Sequence, residues 1–455
     1  MRSERVPTLI LLILAGVHLF ALSWALSRGV WDFPDSGRYL QAAQNLWLHG
    51  ELYARSWPGK LPQGQAVQEF TIRTIGYPLA LLATGATVIS PVVLLVVQNG
   101  LSLLNIGLVM RWWARWARPN MRERLVAILG VLSFPAQFIY ANAVMSEMLL
   151  QSVVVGMMAA GMYYIKTGQR RYFAVIVGAS VLALLLKPVF YPLAVVIAGA
   201  GGLLAWRRRQ MVLGLIGLVP ILVVGLYMGW NKQRTGYFHF SSIAEINLLH
   251  YNAAGVVRQT QGLEAEELWV ASILREVNAQ PDFATRQHLI QARARAVLWA
   301  HPVVYARQHA QGMAIFFLDP GRFDLSEFLR LKVPGSGLLA QARAGSLLRA
   351  LGRLPLGLMT LLSMVLLANV ARLMLAVRGF WRLRNSGPML RYGRWLAAGL
   401  LLYVALLTGP LGAARFLVPV WPLLFGLALM GLRRGELLLL PNKKAAPVRE
   451  DERQR

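Results

Sequence analysis

The chain has 455 residues, of which 56% are hydrophobic and 15% are charged, and its mean hydropathy is +0.49. Soluble domains carry about a quarter charged residues, so this composition excludes an ordinary water-soluble fold, and it also excludes intrinsic disorder. The chain contains no cysteine, which excludes disulfides and thiol chemistry. The net charge of +27 would indicate nucleic acid only if it formed one exposed patch.

Ten nearly uncharged runs divide the chain, and a membrane-spanning helix needs about 20 apolar residues. The first run exceeds the usual core of a cleaved signal peptide, so we expect an uncleaved helix. We interpret run 74–110 as a short interfacial helix ending near Pro91 and then one crossing. The ten runs are 7–27, 74–110, 125–146, 148–165, 172–186, 188–206, 211–230, 354–371, 395–414 and 416–432.

Six basic clusters alternate with these runs and orient them. The clusters hold 26 of the 47 Lys and Arg residues but only six of the 20 acidic residues. Because Lys and Arg concentrate on the cytoplasmic side of membrane proteins, placing all six clusters inside predicts ten crossings with both termini cytoplasmic. The net charge is then an orientation signal, and no nucleic-acid partner is expected.

The sequence therefore predicts an all-α membrane protein of about ten transmembrane helices, with amphipathic helices in two extracytoplasmic loops. The repeat of apolar residues predicts helices from Ser36 and over 264–318, whereas 242–252 shows little period. We predict four parts: a transmembrane module 1–230 that contains a first outer loop 28–73, an outer segment 231–353, C-terminal helices 354–435, and a cytoplasmic tail 436–455.

Three charges remain inside apolar stretches, namely Glu147, Lys187 and Arg415. A charge at the bilayer centre costs at least about 2.5–3.5 kcal/mol, but all three fall near the predicted outer ends of their helices. Two interpretations are open: separate snorkelling or a single structural ion pair, and a polar cavity that all three line. Their common side favours the cavity.

The first outer loop contains Asp32 and Asp35 on either side of Pro34, directly after the first helix. Asp35 immediately precedes the predicted helix that starts at Ser36, where a carboxylate is a favoured cap. Capping is therefore a sufficient structural explanation for Asp35. The loop continues through Glu69 to the next apolar run.

Short motifs occur in a fixed order along nearly the whole chain. The chain resembles the GT-C superfamily of membrane glycosyltransferases, glycosyltransferase family 39 type. It is most similar to the bacterial branch with protein O-mannosyltransferases and the lipid A aminoarabinose transferase. The second acidic residue that often follows the family's first Asp is Ser36 here, so Asp32 could share that role. The motifs are Asp35 to Tyr39, Arg73 to Pro78, Pro135 leading to Ser146-Glu147, Lys187-Pro188, and A-R-F-L-V-P-V-W-P with Arg415.

The resemblance implies a GT-C-type bundle that transfers a sugar, with inversion, from a polyprenyl-phosphate donor to an acceptor hydroxyl outside the cytoplasm. It implies Asp35 as general base, because the attacking hydroxyl must lose a proton. It implies Arg73, Lys187 and Arg415 as ligands of the leaving phosphate. The remaining candidates would orient the acceptor or hold these cations, and they are Asp32, Tyr39, Glu69 and Glu147.

The sequence leaves the acceptor open between glycan, lipid and protein, and membrane lipids are expected to surround the chain. The chain has no phosphate-binding G-x-x-x-x-G-K-[ST] motif and its histidines are scattered, so no cofactor or metal is predicted. The carboxylates of Asp32 and Asp35 leave weak binding of a divalent cation open. Two alternatives are an oligosaccharide ligase or polymerase that uses a polyprenyl-pyrophosphate glycan, and a transporter. The expected location is the bacterial cytoplasmic membrane, with the active site facing outward.

Overall fold

The computed structural model describes residues 8–59, 64–87, 89–331 and 355–432, and every regular element in these ranges is helical. A 3-10 helix, Gly64–Phe70, precedes α3, and another, Pro188–Phe190, precedes α9. The first ten α-helices are α1 Thr8–Arg28, α2 Ser36–His49, α3 Gly76–Ala83, α4 Val92–Ala117, α5 Met121–Leu132, α6 Pro135–Ala141, α7 Glu147–Thr167, α8 Arg170–Leu186, α9 Leu193–Arg208 and α10 Met211–Thr235.

The second half contains shorter helices and then two long ones. A π-helical segment, Leu248–Ala253, links α11 to α12, and 3-10 turns at Leu383–Asn385 and Gly409–Leu411 follow α17 and α18. These helices are α11 Ile243–Asn247, α12 Ala254–Gln261, α13 Leu263–Asn278, α14 Phe283–Ala300, α15 Pro302–Leu318, α16 Arg322–Phe328, α17 Leu356–Arg382, α18 Pro388–Thr408, α19 Ala414–Leu417 and α20 Trp421–Leu432.

The all-helical, multi-pass class is confirmed, but the count of ten crossings is not. Within the described ranges seven helical segments are long and apolar enough to cross a membrane, or eight if α5 and α6 form one span. Of the remaining runs, α8 has 17 residues and α20 has 12. The seven are Leu9–Arg28, Val92–Ala117, Glu147–Thr167, Pro188–Arg208, Met211–Thr235, Leu356–Asn385 and Pro388–Leu411.

Run 125–146 does not form one continuous helix, because α5 and α6 meet at a bend of 56°. The bend falls at Pro135, whose ring disfavours helical backbone at the preceding residue. Phe134 accordingly has φ −122° and ψ 78°, outside the helical region.

Other local expectations are met. Run 74–110 does contain a short helix, α3, and then one long helix that begins directly after Pro91. Helices α13 to α15 occupy the predicted periodic stretch. Residues 243–252, which lie in the stretch that showed little period, are nevertheless helical. The predicted tail 436–455 and the first basic cluster lie outside the described residues.

The N-terminal and C-terminal helices pack into one apolar core. Helix α20 lies against both α17 and α4, and α18 lies against α7. Trp421 is fully buried and stacks on Phe134, with ring centroids 5.0 Å apart, and on Phe425, with centroids 4.8 Å apart. This packing brings the residues between α18 and α20 against the N-terminal half of the chain.

The non-helical chain between α6 and α7 is held by buried amides. Backbone polar groups at membrane depth need internal partners. Gln98 Nε2 donates to the carbonyl of Ala143 over 2.8 Å, and Asn99 Nδ2 donates to Oδ1 of Asn142 over 2.8 Å. These bonds fix the point at which α7 begins, which is Glu147.

A glycine allows α3 to approach the end of α8. A Cβ atom on Gly76 would lie 2.6 Å from the carbonyl oxygen of Leu185, closer than real side chains come. Arg73 precedes Gly76 by three residues, and Lys187 follows Leu185 by two residues. The close approach therefore sets the separation of these two cations.

We expect Gly76→Ala to destabilise the folded chain by about 1–3 kcal/mol, since the added methyl group must push the two backbones apart. Gly107→Ala in α4 is the control, because its Cβ would meet no described atom within 4 Å. Thermal unfolding in detergent would show a lower melting temperature for the first variant alone. Equal melting temperatures would contradict the required close approach.

Candidate active site at the helix ends

Five charged side chains join end to end in a cluster that we call the ion-pair network. Arg73 donates to Oδ1 of Asp35, and Nη1 of Arg415 lies 2.8 Å from Asp35 Oδ2. The same Arg415 donates from Nε to Oε1 of Glu147 over 2.7 Å, and Nζ of Lys187 donates to that oxygen over 2.6 Å. The structure thus brings together residues from four separate regions of the sequence.

The first outer loop delivers Asp35 through backbone contacts. The amide of Phe33 donates to the hydroxyl of Ser36 over 2.9 Å, which shapes the turn before α2. The amide of Val144 donates to the carbonyl of Trp31 over 2.9 Å and ties the loop to the chain before α7. Asp35 therefore lies beside the start of α7.

Capping does not explain Asp35. The residue stands at the N-cap of α2, but its side chain makes no capping hydrogen bond. Both carboxylate oxygens face arginines instead. The local preference for a cap is overridden because two charge-assisted contacts stabilise a carboxylate more than one bond to a backbone amide does. The capping interpretation is therefore wrong.

Exposure differs along the ion-pair network. The Glu147 side chain is completely buried, whereas the side chains of Arg415 and Asp35 are 22% and 24% exposed. Separate snorkelling is thus excluded for the three charges found in apolar stretches. Glu147 forms the floor of the network, and Asp35 and Arg415 form its accessible face.

The ion-pair network has one excess positive charge, because three cations surround two carboxylates. Burial alone would raise the pKa of Asp35, but the charges of Arg73 and Arg415 outweigh it and hold that pKa well below its usual range. Asp35 is consequently ionised at neutral pH. Its weak proton affinity lasts as long as both arginines stay in contact.

Tyr39 lies beside the ion-pair network without a charge of its own. The guanidinium of Arg73 lies 4.6 Å from the centroid of its ring, a cation–π contact. The ring also meets Tyr77 edge to face at 4.8 Å between centroids. Tyr39 therefore contacts the network through Arg73.

Two other predicted site residues lie apart from the network. Glu69 is buried and pairs with Arg38 at 3.4 Å and Arg55 at 3.2 Å, forming a second acid–base cluster. Asp32 is exposed and has no ion pair with any residue that the structure describes. Asp32 and Asp35 are only three residues apart in the sequence, but their side chains lie in different environments.

Sequence reasoning missed two carboxylates next to the network, Asp324, which is buried, and Asp319, which is partly buried. The hydroxyl of Tyr140 donates to Asp324 Oδ1 over 2.8 Å. Asp319 Oδ2 accepts the backbone amide of Ala414 over 2.8 Å and so anchors the chain directly before Arg415. Burial raises the pKa of Asp324 to about 7. The one sequence signal near them is the turn-forming D-P-G that begins at Asp319, in the predicted outer segment 231–353.

Metal binding finds no added support from side-chain geometry. No three His, Asp or Glu side chains in the described ranges are grouped as a metal site requires. Both oxygens of Asp35 contact arginines, as described above. The chemistry available here is that of a carboxylate base and of cations that bind an anion.

The fold and the site define a multi-pass helical membrane protein with a net-positive ion-pair network at the ends of its helices. No protein-family model matches the sequence, and no curated protein matches it. Two solved structures of ArnT from Cupriavidus metallidurans do match.

The ArnT structure bound to undecaprenyl phosphate is 16% identical, with a TM-score of 0.37, and the match covers 94% of this chain and 77% of that one. The apo structure is 15% identical, with a TM-score of 0.34, and the match covers 92% and 76%.

We expect Glu147→Gln to destabilise the fold by about 3 kcal/mol or more, because two partly buried cations lose the fully buried carboxylate that they share. Glu276→Gln is the matched control, since Glu276 pairs with Arg293 on the exposed surface, where such pairs contribute about 0–1 kcal/mol. Denaturation in detergent measures both. A Glu147 variant as stable as the control would show that the network contributes nothing to the fold.

Asp324 predicts a pH effect. Its pKa of about 7 exceeds the ordinary 3.8, so the folded chain holds a proton that the unfolded chain releases. Stability then falls as pH rises between these values, by at most about 1.4 kcal/mol per pH unit. Asp324→Asn cannot ionise and still accepts from Tyr140. The melting temperature of this variant relative to that of the parent should therefore increase from about pH 5 to pH 7. A difference in melting temperature that stays constant over this range would contradict the prediction.

Proposed function

We propose that the protein is an integral-membrane glycosyltransferase that moves a sugar from a polyprenyl-phosphate donor to an acceptor hydroxyl. The observation that carries this proposal is the contact of one accessible carboxylate, Asp35, with two arginines in a net-positive network. Such a site has the two groups that the reaction needs side by side. The motif resemblance gives the same reaction.

The charge of the network suits a phosphodiester. A polyprenyl-phosphate sugar carries one negative charge, which balances the single excess positive charge of the five groups. A second negative charge develops on the phosphate as the glycosidic bond breaks. Arg73, Lys187 and Arg415 can stabilise this charge without reorganisation, because the fold already holds them in place. The product carrier leaves as a polyprenyl phosphate.

Asp35 would take the proton from the attacking acceptor hydroxyl. In the unliganded chain both of its oxygens are held by arginines, which makes it a weak base. A donor phosphate that binds Arg73 and Arg415 competes for these contacts, and the proton affinity of Asp35 then rises. The base would thus be strengthened when the donor is present, and attack from the face opposite the phosphate inverts the anomeric carbon.

Glu147 would act as a positioning residue. Its side chain is buried beneath the network and contacts Arg415 and Lys187, which leaves it no route to an acceptor. We therefore propose that Glu147 holds both cations in position, which is one of the two roles expected from the sequence. Glu69 is equally buried and holds Arg38 and Arg55 in the same way, so we assign it the positioning of the first outer loop.

The basic clusters support an outward-facing site in a bacterial cytoplasmic membrane. Helix α7 begins at Glu147 in the network and has Lys166 in its last turn. The candidate span that contains α9 begins at Pro188, directly after Lys187, and ends at Arg208. Because Lys and Arg gather on the cytoplasmic side, the network end would face the exterior and both termini the cytoplasm.

The two alternative functions fit the site less well. A polyprenyl pyrophosphate carries more negative charge than the single excess positive charge of the network, which favours a monophosphate donor over the substrate of a ligase or polymerase. Transporters place their sites near the membrane midplane, whereas Glu147 and Lys187 stand at helix ends. The acceptor remains open between glycan, lipid and protein.

We expect Asp35→Asn to lower the transfer rate by about 100- to 10,000-fold, the range for loss of a general base. Asp32→Asn should retain activity within a few-fold, because Asp32 lies outside the network. Each variant is expressed in cells that lack the protein, and mass spectrometry follows the carrier-linked monosaccharide. That species should accumulate with the first variant only.

Binding of a polyprenyl phosphate, measured by native mass spectrometry, should persist in Asp35→Asn, because both arginines remain. Restored transfer by this variant would refute Asp35 as the base. A reduced rate for Asp32→Asn would instead show that the two aspartates share the role. Accumulation of a long carrier-linked glycan would favour the ligase alternative.

A further inference from the structure

An apolar cavity of about 90 Å³ lies between α4, α7, α18 and α20, at the other end of the bundle from the ion-pair network. We call it the tryptophan cavity, because Trp112, Trp113 and Trp116 of α4 line one side of it. Methionines from α7 line another side, among them Met158. Arg394 of α18 is the one charged side chain among the residues that line it.

Arg394 is 9% exposed and is not neutralised by any carboxylate in the described parts of the chain. Its Nη1 donates to the carbonyl of Phe380 over 2.8 Å, and its Nε is buried without a partner. The rings of Phe380 and Trp395 lie 4.7 and 5.4 Å from the guanidinium carbon. A buried cation without an anion is costly, so the site would gain from a bound anion.

The cavity is remote from the ion-pair network. Met158 lies eleven residues along α7 from Glu147, roughly 16 Å at 1.5 Å per residue. Arg394 lies six residues into a helix that is long and apolar enough to span a membrane, roughly 9 Å from its start. Several arginines surround this end of the bundle, including Arg111 and Arg115 of α4. Such clusters attract anionic lipids.

We propose that the tryptophan cavity binds an anionic glycerophospholipid, with its phosphate on Arg394 and one acyl chain among the tryptophans. Charge complementarity carries the choice of headgroup, because the cavity supplies a cation that lacks an anion. The apolar lining favours an acyl chain, because removing hydrocarbon from water is favourable and an acyl chain needs no hydrogen-bond partner in the cavity. The surrounding arginines disfavour a headgroup that adds its own positive charge.

The test uses the full-length protein in detergent and native mass spectrometry with added phosphatidylglycerol or phosphatidylcholine of identical chains. We expect one retained phosphatidylglycerol per chain, and Arg394→Gln should weaken this retention at least about tenfold, as loss of one charge-assisted contact does. Arg391→Gln is the matched control. Arg391 is exposed on the same helix and does not line the cavity, so retention should be unchanged.

A second variant tests the tail pocket with the charge intact. Ala397 lines the cavity, and Ala397→Leu fills part of it, so this variant should also lose the retained lipid. Equal retention by the parent and both cavity variants would overturn the proposal, as would equal retention of phosphatidylcholine. Preferential retention of a polyprenyl phosphate over phosphatidylglycerol would overturn it too. None of these outcomes depends on the proposed transferase activity.

Discussion

Arg415 is the side chain on which the site depends, because it bridges two carboxylates that come from distant parts of the chain. Its Nη1 contacts Asp35 of the first outer loop, and its Nε contacts Glu147 at the start of α7. Removing one member of such a buried group leaves the others uncompensated, which costs several kcal/mol. The same contacts that shape the site therefore also hold the first outer loop and the C-terminal helices together.

The position of Arg415 follows from how the protein satisfies the backbone polar groups of a broken helix. The segment between α18 and α20 is not a continuous helix, so its amides and carbonyls need other partners. Asp319 accepts the amide of Ala414, and Gln151 donates to the carbonyl of Val418. Two side chains from other elements thus fix the backbone on both sides of the arginine, and its guanidinium is held before any substrate arrives.

The sequence made part of this site predictable because a charge in an apolar run is conspicuous. Glu147, Lys187 and Arg415 could be found in that way, and their meeting follows from their common membrane side. Asp319 and Asp324 could not be found, since they lie in a segment with many charges where burial leaves no compositional trace. The role of Asp35 as a cap was inferred from local preference, and the tertiary contacts with two arginines overrode it. The bend at Pro135 was hidden by the continuous apolar run around it.

The two ends of the bundle stabilise buried arginines in different ways, and the difference bears on what each can bind. At the tryptophan cavity, Arg394 has a carbonyl and two rings but no anion, so a ligand would add a missing charge. In the ion-pair network the arginines already have Asp35, so an incoming phosphate would exchange one anion for another. Exchange costs little desolvation, because the arginines are already largely withdrawn from water. It also leaves the displaced carboxylate next to the reacting sugar, where the proposed reaction needs a base.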